Sequence, residues 1–253
     1  MSARVEQIIE LCERIAPRQD AEEWDNVGLL AGRCDARVDT VLCALDLTEA
    51  VVKEAVARGA QVIVTHHPIL FRGRKNLRED DAEGRMLCAL VRSHLAMFAM
   101  HTNYDNACPG VNDVLAGALG LRDVSAPERA LRLGIPVQRT FGAFADYAEK
   151  ALGGPIRRFG QADRPISRVA VLGGAGADYL PLAMEAGADV FVTGEISYHR
   201  AMDAMDNGLC VLEAGHAATE RPGILALSAA LQKAADAVQY NIRVIDSQAR
   251  LFL

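Results

Sequence analysis

A seven-residue segment occurs twice in this chain, and the context of its two copies constrains the fold more than any other feature. Residues 59–65 read GAQVIVT and residues 187–193 read GADVFVT, with five of the seven positions identical. Each copy is preceded by a short apolar run of strand character, residues 41–45 in one case and 169–172 in the other. A helix-like stretch follows, residues 49–58 and 179–186, and Gly59 or Gly187 ends it. Glycine suits that place because the residue just past a helix C-terminus adopts a left-handed conformation. The runs VIVT and VFVT show no polar alternation, so both faces of these strands should be covered.

The likeness continues downstream. After the first copy, a strand-like run at 97–100 leads into His101-Thr-Asn-Tyr-Asp105, then Pro109-Gly110 and a helical run to Leu119. After the second, 210–212 leads into His216-Ala-Ala-Thr-Glu220, then Pro222-Gly223 and a helix to about Ala235. Pro-Gly is expected to open the following helix both times, since proline's fixed φ and missing N–H fit a first turn. The chain therefore reads as α/β, with two β-α-β-rich halves of related topology joined by residues near 125–165. Strands alternating with helices favour parallel pairing and right-handed crossovers. Ligands of such sheets collect at the carboxyl ends of the strands. His66-His67, Asp105, Glu195, His216 and Glu220 all fall at such ends, and this is the reason to treat them as one site in a cleft.

A single histidine is ordinarily a surface or core residue, and His94, at the end of a helix-like stretch, is read that way. His66 and His67 differ because they stand at a strand end where Pro68 forces a turn, with carboxylates at other strand ends. Neutral imidazole and carboxylate together suit Zn²⁺, Mn²⁺, Fe²⁺ or Ni²⁺. No cysteine lies at a matching strand end, which disfavours a closed thiolate zinc site. Five side chains cannot saturate two ions, so positions stay open for water, as catalysis requires. Asp105 is the expected bridging carboxylate. Glu195 matches His67 by the repeat and is a candidate acid/base or supporting group, with a plain surface glutamate as the alternative. His199 is placed with it.

Three further segments keep two readings each. The turn Gly173-Gly-Ala-Gly-Ala-Asp178 could hold a phosphate at a helix N-terminus or be a tight turn. Arg72, Arg74 and Lys75 could meet an anionic substrate or form a solvated loop. Trp24-Asp25-Asn26-Val27-Gly28 could line a cleft or be a packed turn.

Composition removes several function classes. Of 253 residues, 24% are charged and the formal net charge is −6, so no broad basic footprint exists and nucleic-acid binding is disfavoured. Aromatics are only 5%, leaving aliphatic side chains to fill the core. Cysteines 12, 34, 43, 88, 108 and 210 are scattered without a C-x-x-C pair, which fits reduced thiols and a cytoplasmic protein. Val5, Ile8, Ile9, Cys12 and Ile15 repeat at helical spacing, so a surface helix stopped near Pro17 is expected rather than a signal peptide. No run is apolar for the length of a membrane span.

Taken together, residues 23–29 (EWDNVGL), Thr65-His-His-Pro-Ile69, His101 to Asp105, Gly194-Glu-Ile-Ser-Tyr-His199 and Gly215-His216 with Glu220 resemble the Nif-three-like dinuclear metal-centre family, also called GTP cyclohydrolase I type 2 homologues. The likeness runs from residue 23 to about 223 in the family's order. It implies two divalent ions bound by His66, His67, Asp105, His216 and Glu220, with His101 beside them as a further ligand or supporting group. It also implies a discontinuous first domain, 1–125 plus 215–253, a second domain at 126–214, and a toroidal homohexamer. The inserted domain of longer relatives has no room here. The family names imply hydrolytic opening of the GTP imidazole ring, in which Glu195 or His199 could move protons. The alternative is a non-catalytic metal-binding regulator acting through protein partners, since no guanine-recognition signature stands out.

Overall fold

The computed structural model describes residues 1–249. The chain divides into two compact units, one made of Met1–Ala107 with the C-terminal stretch from Ile224, the other of Cys108–Gly223.

The first unit is built on a five-stranded sheet in the order Arg243–Asp246, Thr40–Ala44, Val62–Thr65, Ala96–Ala99, Gly28–Ala31. The first four strands are parallel and the last is antiparallel. All five residues of Thr40–Ala44 and all four of Val62–Thr65 are buried, as unbroken apolar runs require. Helix Glu49–Ala57 begins where the Thr48 side chain accepts a hydrogen bond from Val51 N–H, and ends before Gly59 at φ +65°. Its Val51, Val52 and Ala55 pack with Leu87 and Leu90 on Leu42, Ile63 and Met97.

Helix Val5–Ile15 turns Val5, Ile8, Leu11 and Cys12 inward and stops ahead of Pro17. Burial pushes the Cys12 thiol up to about 12, with the nearby Glu13 charge adding to it. Burial also raises Cys43. A folded value above the unfolded one, about 8.5, means that the associated stability is whole below pH 8.5 and is lost as pH rises toward 12. For Cys12 alone the loss at pH 10 is about 2 kcal/mol. Native protein treated with iodoacetamide at pH 8 should label Cys34 and Cys108, which are exposed, and spare Cys12 and Cys43 until urea is added. Mass mapping reads the result, and native labelling of Cys12 at the rate of Cys34 would refute it.

The second unit carries a six-stranded sheet in the order Arg122–Ser125, Arg132–Ile135, Val169–Leu172, Val190–Thr193, Cys210–Glu213, Arg157–Phe159. Its three strands from 169 to 213 are parallel, and the flanking ones pair antiparallel. Alternate residues feed two cores: Val169, Val171, Val190 and Val192 face Phe141 and Phe144, while Ala170, Leu172 and Phe191 face Leu180 and Ile196. The related topology of the two halves is visible strand by strand. In each, three parallel strands follow in sequence order, and an antiparallel strand lies outside the third.

Two expectations change in detail. The stretch near 125–165 is not a joiner: it supplies strands Arg132–Ile135 and Arg157–Phe159 and helix Phe141–Leu152. The reason lies in Phe141, Phe144, Ala145 and Ala148, an apolar stripe at helical spacing that must cover a sheet face. The second Pro-Gly does not open a helix either. Gly110 does cap helix Val111–Ala118, but Pro222 lies inside the helix His216–Ala237. No helix among the described residues is long and apolar enough to cross a membrane.

Candidate metal centre

In the first unit two of the parallel strands, Val62–Thr65 and Ala96–Ala99, lead into histidine. His66 and His67 follow Val62–Thr65, and their N–H groups donate to Ala44 O and Leu45 O at the end of the neighbouring strand. His101 follows Ala96–Ala99 and caps the short helix Thr102–Asn106, which carries Asp105. Ligand atoms of His66, His67 and His101 lie within 4.8 Å of one another. His66 Nε2 stands 3.5 Å from Asp105 Oδ1.

Each of these rings is held through Nδ1. The His66 ring lies 2.8 Å from Met100 O through Nδ1, and a carbonyl can only accept, so Nδ1 carries the proton and Nε2 the lone pair. His67 Nδ1 meets Asp46 Oδ1 at 2.7 Å and His101 Nδ1 meets Asp25 Oδ1 at 2.9 Å, which favours the same tautomer in each ring. For Asp25, burial works to raise the carboxyl, but donation from His101 and from the hydroxyl and N–H of Thr102 outweighs it and holds the group down at about 2. Asp25 therefore remains an acceptor for His101 across any ordinary pH.

In the second unit His216 and Glu220 sit one turn apart at the start of helix His216–Ala237, with Nε2 and Oε2 separated by 3.2 Å. His216 Nδ1 lies 2.9 Å from Glu195 Oε1, so this ring repeats the arrangement of the other three. Glu220 is 4% exposed. It fits because Gly174, at φ +63°, lies against it: a Cβ there would fall inside contact distance of Glu220 Oε1 and 3.2 Å from His216 Nε2.

The glycine turn is thereby explained as packing. The N–H groups of its three glycines are already taken, Gly173 by Asn112 Oδ1, Gly174 by Thr219 Oγ1 and Gly176 by Thr193 Oγ1, so none of these three is directed at a phosphate. Of the remaining sequence candidates, Glu195 is exposed and contacts His216, while His199 is exposed with its ring 5.5 Å from Tyr198. Arg74 is committed to Asp81 and Glu83, while Arg72 and Lys75 are exposed. His94 is an exposed residue at φ +54° just after helix Ala82–Arg92.

Asp46, the supporting role of Asp25 and the packing of Gly174 against Glu220 were not read from the sequence. Asp46 stands two residues beyond Thr40–Ala44, so the strand-end rule could have found it. Gly174 could have been found through the repeat, since it occupies in the second half the place of Asp46 in the first.

An α/β chain whose strands end in imidazoles tethered at Nδ1, with Nε2 directed at carboxylates, has His/carboxylate groups that could hold a metal ion. The chain belongs to the Duf34/NIF3 (NGG1p interacting factor 3) family, whose profile matches residues 3–250. A Streptomyces coelicolor protein named GTP cyclohydrolase 1 type 2 homolog is 35% identical, with 95% of this chain and 90% of that protein covered. A Clostridium perfringens protein of the same name is 32% identical, covering 92% and 93% respectively. A Bacillus cereus protein related to NIF3 has the same fold, with a TM-score of 0.94 over 99% of each chain at 27% identity.

Proposed function

We propose that this protein is a dinuclear metal-dependent hydrolase acting on a nucleotide-like heterocycle, with His66, His67, Asp105, His216 and Glu220 as the side chains that would hold its two ions. The observation that carries the reading is the common tethering of His66, His67, His101 and His216 through Nδ1 to an oxygen, which places the lone pair of each ring on Nε2. Metal-binding histidines are oriented in this way. The donor set, imidazole and carboxylate without thiolate, fits two ions among Zn, Mn, Fe and Ni. When bound, such a pair supplies Lewis acidity and a water that ionises near neutral pH. The chain's own groups orient that centre: Asp46, Asp25 and Glu195 hold the rings, and His101 adds a third imidazole to the His66–His67 group. Proton movement is assigned to Glu195 and His199, the former through its contact with His216 and the latter through the family motif.

GTP is the first substrate to test, because the relatives are named for its cyclohydrolase. Metal-loaded protein incubated with GTP should release formate and yield a ring-opened product, and an Asp105→Ala control should not. Equal turnover by that control would assign the activity to a contaminant. Two bound ions without turnover of any nucleotide would replace the hydrolase by the regulator reading. Elemental analysis should find two ions per chain, and native mass should correspond to six chains, the assembly the family resemblance implies. A cytoplasmic location is supported by six unpaired cysteines.

The tethers have a measurable consequence. Asp46→Asn keeps the shape beside His67 but removes the charge that fixes its tautomer, so metal affinity should fall about 10- to 100-fold. Competition with a chromophoric chelator measures it. Unchanged affinity would mean that His67 does not ligate through Nε2.

A further inference from the structure

Two large aromatic side chains stand exposed beside the histidines of the first unit. Trp24 is 60% and Phe71 47% exposed, although aromatic bodies are ordinarily buried. Their rings meet edge to face, with centroids 5.8 Å apart and planes at 60°, so each keeps an open face. They come from separate segments that are pinned together, since Asn26 Nδ2 donates to Leu70 O at 2.5 Å. Asp25, next to Trp24, is fixed by His101 and Thr102. The pair is thus placed by its neighbours and is not a loose loop tip. Trp24 also lies 6.2 Å from the His101 ring, which is 5.1 Å from His66 and 5.6 Å from His67.

We propose that Trp24 and Phe71 form a stacking platform for the planar ring of a nucleobase-like ligand, set one ring's width from the His66–His67–His101 group. Exposed aromatic faces bind bases of any sequence because every base has a π-face. The adjacent charges select the ligand class. Glu23 is exposed next to Trp24, but Arg72 and Lys75 are both exposed on the segment that carries Phe71, and this excess of cations favours a heterocycle bearing an anionic tail such as phosphate. They disfavour a quaternary ammonium, the other common guest of aromatic faces. The platform rests on the hydrolase reading for the fate of the ring, but not for its binding.

Trp24 is the single tryptophan of the chain, so its emission reports on the platform without interference. The full-length protein, both chelator-treated and metal-loaded, is titrated with guanosine monophosphate, adenosine monophosphate, ribose 5-phosphate and choline, with absorbance corrected. Both nucleotides should quench saturably, and ribose 5-phosphate and choline should not. Phe71→Ala should weaken nucleotide binding about tenfold, and its metal content by elemental analysis should equal that of the parent. Quenching without turnover would leave the platform standing and remove the hydrolase reading. The platform is overturned if turnover occurs with no change in Trp24 emission, or if neither nucleotide quenches. It is equally overturned if choline quenches, or if Phe71→Ala binds nucleotide as tightly as the parent. A Trp24 shift that follows protein concentration instead of ligand would show the face to be covered by a second copy of the chain, which also overturns it.

Discussion

A Gly174→Ala variant should fold and yet bind divalent metal on the order of 100-fold more weakly than the parent, the upper end of what disturbing a ligand's surroundings costs. One methyl group suffices because nothing near it can yield except the ligands. Gly174 O accepts from Glu195 N–H and from the Thr193 hydroxyl, and Gly174 N–H donates to Thr219, so the turn is anchored at both of its polar groups. The new Cβ would overlap Glu220 Oε1 and press on His216 Nε2. Glu220 is buried and must swing away, breaking its 3.2 Å approach to His216. The left-handed φ of +63° adds about 1–2 kcal/mol of strain, enough to lower the melting temperature but not to unfold a domain of this size. Chelator competition reads the affinity, and circular dichroism confirms the fold. Wild-type affinity in a folded Gly174→Ala protein would show that Glu220 is not a ligand.

The same glycine illustrates what could be read from sequence and what could not. Strands Val62–Thr65 and Val190–Thr193 were legible because buried parallel strands are unbroken apolar runs, and the repeat supplied independent support. His66, His67, His101 and His216 were legible as candidates because chemistry gathers at strand ends, a topological rule that needs no coordinates. What escaped depends on register and contact. The match of His101-x₃-Asp105 with His216-x₃-Glu220 conceals an offset: His101 comes two residues after Ala99, whereas His216 comes three after Glu213. The paired strands themselves align without that shift, Val62 on Ala96 and Val190 on Cys210. The helix beginning at His216 runs straight through Pro222, while the first half ends one helix at Asn106 and restarts after Gly110. The tethering role of Asp46 and Asp25 escaped because a carboxylate that orients a ring has no sequence spacing of its own, even though Asp46 stands at a legible place just past a strand end. Helix Phe141–Leu152 was less legible because it lies outside the repeat, so its apolar stripe has no second copy to support it.

Asp113→Ala should cost about 3–5 kcal/mol of folding stability, the largest effect expected of a single substitution away from the histidines. Arg132 is among the most deeply buried side chains, at 1% exposed. Its Nε and Nη2 donate to the two oxygens of Asp113 at 2.8 and 2.9 Å, and its Nη1 to Arg129 O at 2.7 Å. Removing the carboxylate leaves a guanidinium inside the protein without its counter-charge, a far more costly state than either the pair or no pair. Urea denaturation should show the loss, and Asp113→Ala combined with Arg132→Met should be more stable than Asp113→Ala alone. A cost below about 1 kcal/mol, or no recovery in the double variant, would contradict the pairing as the cause. The consequence also reaches the candidate site. Asp113 and Asn112 share the first turn of helix Val111–Ala118, and Asn112 Oδ1 accepts from Gly173 N–H. Arg132 in turn lies opposite Val171 in the sheet, two residues before that glycine. One helix turn thus holds both the buried cation and the backbone on which Glu220 rests, so chelator competition on Asp113→Ala below its unfolding range should also show weakened metal binding.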